Sequence, residues 1–96
     1  MDDMLDQLEA IIQDRKRRPV EGSYTNQLLD KGRDKIAQKV GEEAVELLIA
    51  ALAQDRPAQV DELADLVYHM LVLMAELDIT LDDLRQKLRE RHNLRQ

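Results

Sequence analysis

The stretch from 57 to 78 constrains the fold most. Val60, Leu63, Leu66, Val67, Met70, Leu71, Val72, Leu73, Met74 and Leu77 spread around most of a helix's circumference. A surface helix carries one apolar stripe, so a helix that is apolar nearly all round must be covered on more than one side. A chain of 96 residues has little to cover it with, since a domain of this size buries only about 60–68% of its unfolded surface. A partner subunit is therefore expected.

The remaining segments read as helices too. Met4, Leu5, Leu8, Ile11 and Ile12 recur at helical spacing over residues 3–17, ending in Arg15-Lys16-Arg17-Arg18 before Pro19. Those cations complement the negative end of a helix dipole, with phosphate binding as the alternative use. Pro19 to Thr25 is a loop; Ser23 or Thr25 caps a short helix through Leu28 and Leu29 that ends at Gly32. From Arg33 to about Gln54, Ile36, Val40, Ala44, Leu47, Leu48, Ala51 and Leu52 form one stripe, with Glu43 on its border. Gly41 interrupts this helix at a cost of about 1 kcal/mol relative to Ala, which a close approach of another backbone would compensate. Asp55-Arg56-Pro57 separates the two long helices, with Pro57 suited to a first turn. Thr80 and Asp83 resemble a capping box for a last helix whose Leu81, Leu84 and Leu88 face inward. No strand-like alternation, repeat or linker interrupts this series, so one all-α domain over residues 1–96 is the simplest reading.

Composition removes several function classes. The chain has no Cys and only two His, which excludes disulfides and thiolate sites and argues against an imidazole-rich zinc centre. A net charge of −6 argues against generic nucleic-acid binding. No apolar run is long enough to span a membrane and the acidic start does not look like a signal peptide, so a cytoplasmic protein is expected.

Four carboxylates carry the chemistry: Glu43 with Glu46, and Glu62 with Asp65, each pair spaced i, i+3. That spacing sets both side chains of a pair on one helix face, so two facing helices can surround a divalent cation with oxygen ligands. Glu62, Asp65, His69 and Glu76 fall within about 60° on the polar side of their otherwise apolar helix. Carboxylates so close must either take up protons or be neutralised by a cation. Oxygen donors select hard ions, Mg²⁺ where phosphate is also bound, with Mn²⁺ as a substitute. Such a site serves phosphate cleavage. Lys35 and Lys39, one turn apart, can hold phosphates or pair with neighbouring acids such as Glu43.

Together these residues resemble a known family. Glu42-Glu43-x-x-Glu46, fifteen intervening residues and Glu62-x-x-Asp65 are similar to the metal-binding signature of the MazG-like all-α nucleoside triphosphate pyrophosphohydrolases. Ser23-Tyr24-Thr25, Lys39-Val40-Gly41-Glu42-Glu43-Ala44 and Asp65-Leu66-x-Tyr68-His69 narrow the resemblance to the phosphoribosyl-ATP pyrophosphatase family, over roughly residues 4–91.

The resemblance implies a MazG-like bundle of four to five helices completed by homodimerisation. It also implies Mg²⁺-dependent hydrolysis of phosphoribosyl-ATP to phosphoribosyl-AMP and pyrophosphate, the second step of L-histidine biosynthesis. On that basis Glu43, Glu46, Glu62 and Asp65 are the metal ligands. Water activation falls to Glu42, Glu43 or Glu46, phosphate contact to Lys35 and Lys39, and substrate contact to Ser23, Tyr24 and Thr25. His69 has either a direct substrate role or a structural hydrogen bond beside the site. Two other functions fit the pattern: a housekeeping pyrophosphohydrolase for non-standard nucleotides, and a non-catalytic helical dimerisation module.

Overall fold

In a computed structural model, which describes residues 3–92, the chain forms five helices. These are α1 (Met4–Arg17), α2 (Tyr24–Lys31), α3 (Arg33–Ala53), α4 (Arg56–Glu76) and α5 (Leu81–His92). Among the described residues there is no strand, and the all-α reading holds with helix ends within two residues of those expected. No described helix is long and apolar enough to cross a membrane.

Local chemistry explains the breaks. Ser23, rather than Thr25, caps α2: its hydroxyl oxygen accepts the Asn26 N–H at 3.2 Å. Gly32 ends α2 and begins α3 with φ +91°, ψ 172°, a conformation essentially confined to glycine, so the chain turns there without a loop. Asp55 caps α4 through the Ala58 N–H, and Gln59 reaches back to donate to the carbonyls of Ala50 and Gln54 at the end of α3. This short connection folds α3 and α4 into an antiparallel hairpin, the most extensive helix pairing in the chain. The Thr80–Asp83 capping box is present, with bonds of 2.9 and 3.1 Å. Thr80→Ala should therefore lower stability by about 0.5–2 kcal/mol, read from a denaturant midpoint.

Ile12, Leu28, Ile36, Leu71, Val72, Ala75 and Leu81 form the core where all five helices converge. The basic end of α1 joins this frame: Lys16 Nζ donates to the Ala75 carbonyl at 2.8 Å and pairs with Asp78 at 3.1 Å. Asp78 is the left-handed residue that terminates α4 (φ +58°). Glu9 accepts the Leu81 N–H and Asp6 pairs with Arg85, so α5 is tied to α1 through polar groups. Leu81 does face inward, but Leu84 and Leu88 are exposed, because the described helices leave that part of α5 open.

Two expectations change along the long hairpin. The apolar stripe of α3 is buried at Ile36 and open at Leu48 and Leu52, which are 60% and 89% exposed. On α4, Val60 and Leu63 are also open, so part of its apolar circumference has no cover within one chain. A Cβ at Gly41 would meet nothing within 4 Å among the described residues, so none of them makes the expected close approach. Gly41→Ala should then add about 0.5–1 kcal/mol of stability. A loss instead would place another backbone against that turn.

Candidate metal centre

The hairpin brings α3 and α4 side by side with their acidic turns in register. One oxygen each from Glu43, Glu62 and Asp65 lies within 4.8 Å of the others, close enough to share one cation. Glu43 is buried (7% exposed), deeper than the border position expected from helical phase, because α4 closes over that side of α3. Glu46 stands outside this group of three, yet it lies near enough to Glu62 to act on its ionisation.

Glu62 records the strain of the cluster. Its Oε1 is buried without a hydrogen-bond partner among the described residues. Burial first, then Glu46, Asp65 and Glu43, push its pKa above the usual carboxylate range. A folded-state pKa above the unfolded value means that the folded chain favours protonated Glu62. That contribution is present below the ordinary carboxylate pKa and is lost as pH rises through the raised one. A hard divalent cation among these oxygens would supply the missing partner for Glu62 and the missing counter-charge. The donor set fits such an ion.

A polar chain runs along the outer flank of α3. Lys35 donates to Gln38 at 3.3 Å, and Gln38 donates to Glu42 at 2.8 Å. Lys39 sits 3.5 Å from Glu42 and 3.6 Å from Glu43. Gln38 and then Lys39 hold Glu42 below the usual carboxylate pKa, despite an opposing effect of burial. For Lys39, burial works to lower the pKa, but Tyr24, Glu42 and Glu43 outweigh it and the net shift is upward. Lys39 is thus a firm cation beside the acidic cluster, realising the pairing with Glu43 while remaining about one-third exposed.

The first turn of α2 reaches the same region. Tyr24 Oη is 3.1 Å from His69 Nε2, and Thr25 Oγ1 bonds the hydroxyl of Tyr68. The rings of Tyr24 and Tyr68 stack, and His69 stands edge-on to both. His69 is buried, with Nδ1 2.7 Å from the Asp65 carbonyl, so it has the structural hydrogen bond considered from sequence. Asn26 staples the loop by accepting the Val20 N–H and donating to the Arg15 carbonyl, both at 2.8 Å.

Sequence reasoning named no role for Tyr68, Gln38 or Asn26. Gln38 was visible as the i+4 neighbour of Glu42, whereas the Thr25–Tyr68 and Asn26–Arg15 bonds depend on packing between helices.

The chain is similar to known proteins over nearly its whole length. The family described as phosphoribosyl-ATP pyrophosphohydrolase matches residues 5–92. A phosphoribosyl-ATP pyrophosphatase of Metallosphaera sedula is 50% identical over 91 residues, covering 95% of this chain and 98% of the relative. One from Clostridium botulinum strain Hall is 50% identical over 88 residues, covering 92% and 80%. The histidine biosynthesis bifunctional protein HisIE of Lactococcus lactis is 50% identical over 92 residues, 96% of this chain, which spans only 43% of that longer protein. The chain therefore belongs to the phosphoribosyl-ATP pyrophosphohydrolase family.

Proposed function

We propose that this chain hydrolyses phosphoribosyl-ATP to phosphoribosyl-AMP and pyrophosphate in the second step of L-histidine biosynthesis, using Mg²⁺, with Mn²⁺ as a substitute. The observation that carries the reading is the convergence of one oxygen each from Glu43, Glu62 and Asp65, with Glu62 Oε1 left unpartnered, in a chain of this family. Glu43, Glu62 and Asp65 hold the ion, and Glu46 completes the set from the next turn of α3. When bound, Mg²⁺ neutralises charge on phosphoryl oxygens and lowers the pKa of water.

The residues around the ion divide the remaining work. Lys35 and Lys39 hold the phosphates along the outer flank of α3. The base that takes the proton from the attacking water is one of Glu42, Glu43 and Glu46; Glu42, kept ionised by Gln38 and Lys39, is ready to accept it. Ser23, Tyr24 and Thr25 form the wall facing the rest of the substrate, with the buried His69 behind Tyr24. The test is pyrophosphate release from phosphoribosyl-ATP against a panel of ordinary and deoxy nucleotides. Preference for a plain nucleotide would favour a housekeeping enzyme instead.

The site sits in one domain spanning 1–96, acting in the cytoplasm as a homodimer. Support for the dimer comes from Val45, Leu48, Ile49 and Leu52 on α3 and Val60 and Leu63 on α4, all at least 49% exposed. A second copy would cover this apolar face. Sedimentation should give twice the 11.1 kDa chain mass, and Leu52→Glu should shift it toward one. A wild-type monomer would contradict the dimer.

A further inference from the structure

The direction of the hydrogen bonds through His69 decides what Tyr24 offers to a ligand. The Asp65 carbonyl can only accept, so the bond of 2.7 Å to His69 requires the proton on Nδ1. In the neutral ring Nε2 then carries a lone pair and takes the Tyr24 hydroxyl proton across 3.1 Å. With its only proton committed, the Tyr24 oxygen is left as an acceptor. A phosphate oxygen is an acceptor as well and finds no donor there. The Tyr24 ring is 47% exposed while His69 is 6% exposed, so the ligand meets Tyr24 and His69 stays behind it.

We infer that His69 is a positioning residue that fixes Tyr24 as a hydrogen-bond acceptor for a donor group on the nucleoside part of the substrate, a ribose hydroxyl or a base N–H. Tyr24 on this account reads the nucleoside, and the phosphates are left to Lys35, Lys39 and the metal seat. Asp65 and His69 share one turn of α4, so the turn that carries a metal ligand also sets the polarity of the opposing wall. The stacked Tyr68 ring and its bond to Thr25 hold the same first turn of α2 from the side.

The inference rests on the proposed nucleotide hydrolase and is tested by binding, so that turnover is not needed. Calorimetry with Mg²⁺ compares α,β-methylene-ATP, which resists cleavage, with tripolyphosphate, which has no donor. Tyr24→Phe keeps the stacked ring and should weaken α,β-methylene-ATP about five- to tenfold while tripolyphosphate changes by less than about twofold. His69→Asn, which loses the Nε2 position, should match it, and the double variant should add less than about twofold. His69→Gln, which restores an acceptor near that position, should recover part of the loss. Analogues lacking the 2′-hydroxyl, the 3′-hydroxyl or the 6-amino group then separate the sources, because the one that no longer responds to Tyr24→Phe lacks the donor.

Equal weakening of both ligands by Tyr24→Phe would make Tyr24 a phosphate contact and overturn the inference. So would multiplicative losses in the double variant, a response kept by every analogue, or a wild-type protein that does not bind α,β-methylene-ATP. A wild type that binds it as described but leaves phosphoribosyl-ATP intact sinks only the proposed function.

Discussion

Asp65→Asn should lower pyrophosphate release from phosphoribosyl-ATP by about 10²–10³-fold or more and leave the helical circular-dichroism signal unchanged. The substitution is nearly isosteric and removes one charge from an oxygen cluster less than 5 Å across. Asp65 is exposed, and its backbone carbonyl, which holds His69, is untouched by the change. Glu46→Gln should lose turnover in the same way. Near-normal activity in both variants would end the metal assignment. A companion measurement separates chemistry from folding: in chelator at neutral pH, Glu62→Gln should melt above wild type. The substitution removes the charge of a half-buried carboxylate, one of whose oxygens is buried without a partner, that burial and three neighbouring acids already push toward protonation. Lowering the pH toward the ordinary carboxylate range should shrink that difference. Such a variant would gain stability and lose turnover, as expected where function requires a strained charge cluster.

Ile36→Ala should have the largest effect on stability, about 2–5 kcal/mol. Ile36 is 0% exposed in the cluster with Ile12, Leu28 and Val72, so the cavity would open at the centre of the core. A domain of this size has only about 5–15 kcal/mol in total. The melting temperature should fall by about 10–30 °C, measured at one protein concentration because dimerisation would add its own contribution. Leu52→Ala, at 89% exposure, should change chain folding far less and act on assembly instead. Equal destabilisation by the two would mean that the folding unit is the assembly.

Local rules made much of the fold legible. Ser23, Gly32, Asp55 and the Thr80–Asp83 pair act through bonds within a few residues of themselves, so their effects can be read along the chain. Periodicity likewise gives the facing directions of the acidic pairs, because i, i+3 spacing needs only helix geometry. What it cannot give is the neighbour across the bundle. Lys16 read as one cation among four and proved to hold the end of α4, 59 residues away at Ala75. Glu43 was placed at a stripe's border by phase and is buried by α4, an effect of helix crossing. Leu48 and Leu52 belong to the same stripe as Ile36 but lie open, because a stripe records what must be covered without naming the cover. Tyr24 and His69 meet across 45 residues, and only packing fixes which nitrogen faces the hydroxyl.

The central claim is that the carboxylates of α3 and α4 form one seat for a hard divalent cation. Titrating Mn²⁺ into the metal-free protein with α,β-methylene-ATP present, by calorimetry, tests it most directly. The account predicts saturable, site-specific binding in wild type that disappears in Asp65→Asn. Identical titration of wild type and Asp65→Asn would contradict it.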